Sequence, residues 1–125
     1  MTKITSAESQ VMGALWSHGA LTPDALVAEV APATGWARNT IRVMITRLLK
    51  KGAISSVKEE DGRFLYRPVL ARSAYVQSES QHLLDRLFEG KLAPLVAHFA
   101  EHRQLTAEDV ATLKALIAEI DDDRS

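Results

Sequence analysis

From Trp36 to Lys51 the chain carries no acidic residue, yet it repeats apolar residues at helical spacing. Advancing about 100° per residue, Met44, Ile45, Leu48 and Leu49 gather around Ile41. Asn39, Val43, Thr46 and Lys50 gather on the opposite side, with Arg42 and Arg47 flanking them. Such a segment must be a helix that lays one face on a core and leaves a basic, amide- and hydroxyl-bearing face in solvent. An ordinary solvated face mixes acids with bases so that they pair at i, i+4. This one does not, which constrains both the fold around it and the partner it can meet.

The flanks supply the core it needs. Thr5-Ser6-Ala7-Glu8 has the form of a capping box, and Val11, Met12, Leu15 and Trp16 follow on one face until His18-Gly19. Thr22-Pro23 opens a second helix with Leu26, Val27 and Val30 on its apolar side, and residues 31–36 read as a loop. The basic helix then stops at Gly52. Ile54 and Val57 precede Asp61-Gly62, with Phe64 and Tyr66 alternating after it and Pro68 closing the run, which predicts a hairpin with a charged tip. Three further helical stretches follow, ending near Gly90, near His102 and in the acidic tail 121–125, where fraying is expected. Their stripes are Leu83, Leu84, Leu87 and Phe88; Leu92, Leu95, Val96 and Phe99; Val110, Leu113, Leu116, Ile117 and Ile120. Leu105 and Val110 have the spacing of a hydrophobic staple around a Thr106 cap. The predicted fold class is mainly α with a small β-hairpin. It is a winged helix-turn-helix over residues 1–70, followed by a three-helix dimerisation region over 71–125.

Charge divides the chain the same way. The net charge is only −1, but from Trp36 to Arg67 eight Lys and Arg face three acids, and from Glu101 to Ser125 seven acids face three bases. Two partners of opposite character are implied. For the basic half, double-stranded DNA fits best. Arg and Lys neutralise phosphate, Asn, Arg and Thr reach base edges, and Val packs on a thymine methyl. Preceded by two short helices, the basic segment stands where a helix-turn-helix carries its reading helix, and the hairpin serves as a wing with Arg63 at its tip. The candidate DNA contacts are Arg38, Asn39, Thr40, Arg42, Val43, Thr46, Arg47, Lys50 and Arg63. A protein-binding winged helix without DNA affinity is the competing class, but such a scaffold loses the basic face, and this chain keeps it.

The segments ITSAE, VMGALW, WARNTIRVMITRLLKKGAI, LYRPV, LDRLFEG and LVAHFAEH resemble, in order and over nearly the whole chain, the penicillinase-repressor family, which includes methicillin-resistance and copper-operon repressors. The resemblance implies a homodimer that represses genes, often for β-lactam resistance, on a palindrome pairing TACA with TGTA. It places Asn39, Thr40, Arg42 and Val43 nearest the bases and Arg47 and Lys50 on phosphate. It also implies relief by proteolysis, through a membrane sensor protease, at an Asn-Phe bond in the fifth helix, where this chain has His98-Phe99. The chain departs from the family at four points. Ala37 stands where a capping Ser is frequent, and Val43 stands where Thr is frequent. His98 replaces the Asn of the cleaved pair. The cysteine-rich end of the copper-sensing branch is missing.

Other chemistries find little support. Without cysteine there are no disulfides or thiolate metal sites. His98 and His102 are spaced as metal ligands around Glu101, but no third ligand joins them, so no metal and no cofactor is expected. Asp121, Asp122 and Asp123 read as a solvated charge run, and Trp16 and Trp36, lying off the basic face, read as packing residues. No nucleophile–base pair, phosphate loop or carboxylate pair marks an enzyme. The N-terminus lacks the apolar core of a secretory signal, and no apolar run approaches a membrane span, so a cytoplasmic protein without membrane insertion is expected.

Overall fold

The computed structural model describes residues 3–124, in the order α1 (Ser6–His18), α2 (Pro23–Thr34), α3 (Arg38–Lys51), β1 (Ile54–Lys58), β2 (Phe64–Pro68), α4 (Arg72–Leu87), α5 (Leu92–Glu101) and α6 (Ala107–Arg124). It divides into two compact units, Met1–Ser78 and Glu79–Ser125, with the division falling inside α4.

In the first unit α1, α2 and α3 each give one apolar face to a common core. Val11, Met12 and Leu15 of α1, Leu26 and Val30 of α2, and Ile41, Ile45 and Leu48 of α3 are buried there, with Ile4, Ala53 and Ile54 closing the margins. Burying a side chain of this size contributes roughly 1.5–3 kcal/mol, so these residues are the main source of cohesion. Leu49, expected in the core, is instead 36% exposed. Its direction lies about 80° from Ile41, at the edge of the buried arc. Trp16 and Trp36 border the core, and the Trp16 indole donates to the Leu70 carbonyl at 2.9 Å and packs on the Tyr75 ring.

The helix ends follow their local chemistry. Thr5 and Glu8 form the full capping box of α1, and Thr22 accepts from the Ala25 amide above Pro23. α2 runs further than expected, through Pro32 to Thr34, so residues 31–34 are helix rather than loop. A proline in the last turn removes only one ladder bond. The Thr34 hydroxyl, donating to Val30, and the Gly35 amide, donating to Ala31, close the end around it. α3 begins at Ala37 with extended backbone and no side-chain cap.

The hairpin pairs β1 and β2 antiparallel, with Ser56 opposite Tyr66 and Lys58 opposite Phe64. Its tip is a short turn in which the Gly62 amide donates to the Glu59 carbonyl, and Gly62 takes φ +86°, a conformation that a side chain would resist. Leu21, between α1 and α2, exchanges both backbone hydrogen bonds with Tyr66, at 3.1 and 2.8 Å. That bridge fixes the wing against the helical core.

In the second unit, α4 ends with the Gly90 amide on the Leu84 carbonyl, and α6 begins with a reciprocal Thr106–Asp109 cap. α6 continues through Arg124, so the frayed tail expected from Asp121 is helical up to that residue, and Ser125 lies outside the described residues. Extending a nucleated helix adds one hydrogen bond for each residue fixed.

Among the described residues one polar side chain is fully buried. Glu8 is 0% exposed; one carboxylate oxygen accepts from the Thr5 amide at 3.0 Å and from Lys51 Nζ at 2.5 Å, and Lys51 also donates to the Lys3 carbonyl. Burial works against the ionised carboxylate, but Lys51 and the Thr5 donors outweigh it and hold the group below its ordinary value. A depressed carboxylate contributes stability that is present above its unfolded value and is lost as pH falls through its folded value. Removing Lys51 strands a buried charge. Lys51→Met is therefore expected to destabilise the first unit by about 3 kcal/mol at neutral pH, and by clearly less once the pH falls low enough to protonate Glu8. Urea unfolding followed by the fluorescence of Trp16 and Trp36, at neutral and acidic pH, measures this. An equal loss at both pH values overturns it.

Candidate nucleic-acid interface

α3 is held from behind at both ends. Ile41, Ile45 and Leu48 anchor it in the core, and Lys51 ties its last turn to the start of α1. What remains outward is the acid-free face. Asn39, Thr40, Arg42, Val43, Thr46, Arg47 and Lys50 are all exposed, and Val43 is 48% exposed. The helix thus brings the sequence-predicted residues of this segment together on one surface.

Their chemical freedom differs. Arg42, Arg47 and Lys50 have no acidic partner among the described residues. The Thr46 hydroxyl donates to the Arg42 carbonyl at 3.0 Å, so toward a partner it acts as an acceptor. Arg38, also exposed, is ion-paired with Asp24 in the first turn of α2. Arg63, at the wing tip, stands 3.6 Å from Asp61, whose other carboxylate oxygen accepts from the Arg63 amide. Arg38 and Arg42, one turn apart, line a groove with Pro23, Val27 and Tyr66 between α2, α3 and the hairpin.

The sequence reading missed several neighbours. Lys58 and Arg67 are exposed on the hairpin, and Arg67 pairs with Glu59 at 3.7 Å. Phe64, an exposed aromatic, lies across the strands from Lys58. Asp24 is a first-turn acid of α2, placed to answer the helix dipole, and the folded chain shows that it also reaches a cation on another helix.

The second unit has a surface of the opposite kind. Among its described residues no side chain is fully buried. Leu83, Leu84, Phe88, Leu95, Val96 and Leu113 are half-buried, while Leu87, Leu92, Phe99, Val110, Leu116, Ile117 and Ile120 are exposed, Leu92 at 62% and Ile117 at 57%. His98 and Phe99 both lie exposed on α5. The His98 ring is 4.4 Å from that of His102 and edge-on to Phe99. Among the described residues no group of three or more potential metal ligands occurs, and no helix is long and apolar enough to cross a membrane.

Comparison with known proteins accords with this architecture. The penicillinase repressor family matches residues 4–119. The penicillinase repressor of Bacillus licheniformis is 34% identical over 118 residues, which cover 94% of this chain and 91% of that protein. The methicillin resistance regulatory protein MecI of Staphylococcus aureus is 28% identical over 115 residues, 92% of this chain and 93% of that one. The solution structure of the DNA-binding domain of the repressor BlaI matches with a TM-score of 0.52 at 33% identity, over 60% of this chain and 94% of that domain. The chain therefore belongs to the penicillinase repressor family, and it is a transcriptional repressor rather than an enzyme.

Proposed function

We propose that the protein acts as a cytoplasmic homodimer that binds a palindromic operator of the TACA/TGTA type and so holds a resistance gene silent. The observation that carries this reading is the outward face of α3: basic, free of acids, and backed by a buried stripe. A helix of that form lies in the major groove, with its N-terminal half against base edges and its later turns near the backbone. Asn39, Thr40, Arg42 and Val43 take the first role, Arg47 and Lys50 the second, and Thr46 flanks them. Arg38 and Arg63 reach toward the backbone from the start of the helix and from the wing.

The dimer is assigned to the second unit. Its stripes on α4, α5 and α6 leave large apolar side chains in solvent, and exposed surface of this kind marks an association site. Two copies related by a two-fold axis present two reading helices to a palindrome. Relief is assigned to a membrane sensor protease that cuts α5 at His98-Phe99, which separates the two copies. Both residues lie on α5, so a cut there breaks a helix that carries one of the dimer's stripes.

Arg42→Ala is expected to cost about 1–3 kcal/mol on the operator and to relax base preference. Arg47→Ala weakens operator and random DNA alike and makes the salt slope shallower by about 1 per monomer. Titration of both variants against palindromic and scrambled duplexes over a range of salt separates the roles. If both lose specific and non-specific affinity in the same ratio, the assignment of base reader and phosphate clamp is wrong.

Ile117→Glu places a charge in the apolar surface. It is expected to convert a dimer into a monomer at micromolar concentration while the tryptophan fluorescence of the first unit stays native. Sedimentation of the unaltered protein as a stable monomer at that concentration overturns the dimer.

A further inference from the structure

We propose that Asp24 is a specificity-determining residue: its carboxylate occupies on Arg38 the place that a DNA phosphate would take, and so holds down affinity for random DNA. The inference rests on the reading that α3 faces the duplex. Arg38 is the first residue of α3, at the positive end of a helix whose cap position, Ala37, makes no side-chain bond and whose first turn holds no acid. Arg42 stands one turn further on along the same groove. Two cations one turn apart repel each other, and the helix end repels the nearer one. Asp24 answers both, from another helix.

Its setting is not that of a structural ion pair. The Asp24 side chain is 82% exposed and that of Arg38 is 52% exposed, so the pair adds little to stability. A first-turn acid on α2 accounts for a negative charge at this point in the sequence, but not for its reach to Arg38. Asp24 also lines a gap between the start of α2 and the wing tip, with Arg63 and Phe64 on the other side. Asp24 is thus paired with one proposed phosphate contact, Arg38, and shares a gap with another, Arg63.

The guanidinium carries five donors in a rigid fork. Asp24 engages Nη2 and leaves the remaining donors free to meet a second acceptor. On random DNA, where attraction to phosphate is nearly the whole of binding, a neutralised Arg38 is one cation lost. On an operator, α3 is held in one register, and an oriented Arg38 meets one fixed acceptor. Asp24 therefore subtracts from the first kind of complex more than from the second.

The test measures binding of the full chain and its variants Asp24→Asn, Asp24→Glu, Arg38→Ala and the Asp24→Asn/Arg38→Ala double. The probes are a TACA/TGTA palindrome and a scrambled duplex of equal length, at several salt concentrations. Asp24→Asn is expected to tighten scrambled DNA by roughly fivefold to tenfold at 0.1 M salt and to steepen its salt slope by about 0.9 per monomer, as one freed cation requires. The palindrome gains about twofold at most, and Asp24→Glu, which keeps the charge, binds scrambled DNA as the unaltered protein does. With Arg38 already removed, Asp24→Asn changes little. Equal gains on both duplexes, or a gain undiminished without Arg38, overturn the proposal and reduce Asp24 to a general surface charge. Loss of affinity in Asp24→Asn overturns it too. If the unaltered protein shows no salt-sensitive binding to either duplex, the DNA-binding pose itself is wrong, and that outcome is distinct from the others.

Discussion

The ion pair between Glu8 and Lys51 is the point at which the reading helix is fixed to the rest of the fold. Glu8 closes the capping box of α1 with the same oxygen that accepts from Lys51, and Lys51 sends a further bond to the Lys3 carbonyl. The first turn of α1 and the last turn of α3 thus share one carboxylate. Its other oxygen is buried and has no hydrogen-bond partner among the described residues. Apolar contacts alone resist separation of helices but permit small rotations and slides. A buried, directional contact at the end of α3 restricts both, and a one-residue shift or a modest rotation there would turn Asn39, Thr40 and Arg42 away from the bases they are assigned.

Most of this architecture is legible in the sequence because its determinants are local or periodic. Thr5 with Glu8, Thr22 with Pro23, and Gly62 at the hairpin tip are fixed by neighbours three or fewer residues away, and all three act as their spacing implies. The outward side of α3 follows from a wheel drawn on five apolar residues, with an error only at its edge, where Leu49 lies. Contacts between distant residues leave no such trace. Lys51 reads as one more cation of the basic stretch, yet it is turned inward by an acid 43 positions away. Leu21 reads as a loop residue, yet it carries the bridge that seats the wing. Pro32 misleads for a different reason: a proline signals a break, but near the end of α2 the helix has almost no ladder left to lose.

The basic surface is narrower than its composition implies. Of the cations between Trp36 and Arg67, Lys51 is committed to Glu8, Arg38 to Asp24, Arg67 to Glu59 and Arg63 loosely to Asp61. Among the described residues Arg42, Arg47 and Lys50 on α3, and Lys58 on the hairpin, have no acidic partner, and the three on α3 stand among Asn39, Thr40, Val43 and Thr46. A repressor must find a few sites among a great excess of others, so surplus phosphate attraction works against it. A cation count held low by internal acids, beside a compact group of side chains proposed to read bases, would shift the balance from attraction toward recognition.

The same economy bears on why the reading unit is joined to a second one. Three cations without an acidic partner among the described residues, and the base contacts proposed for the same helix, would give modest affinity for a half-site. If a second copy is held at fixed spacing, the second half-site is met at high effective concentration, and the affinities of the two halves multiply. The apolar stripes of α4, α5 and α6, left open in a single chain, are the surfaces available to hold that copy. On this reading the strength of repression is set less by α3 than by the integrity of the second unit. A single cut in α5 would then release the operator without altering any residue that touches DNA. The placement of the proposed scission far along the chain from the reading helix follows from that division of labour: loss of bivalence is enough to lift repression, and the half-site reader can survive it intact.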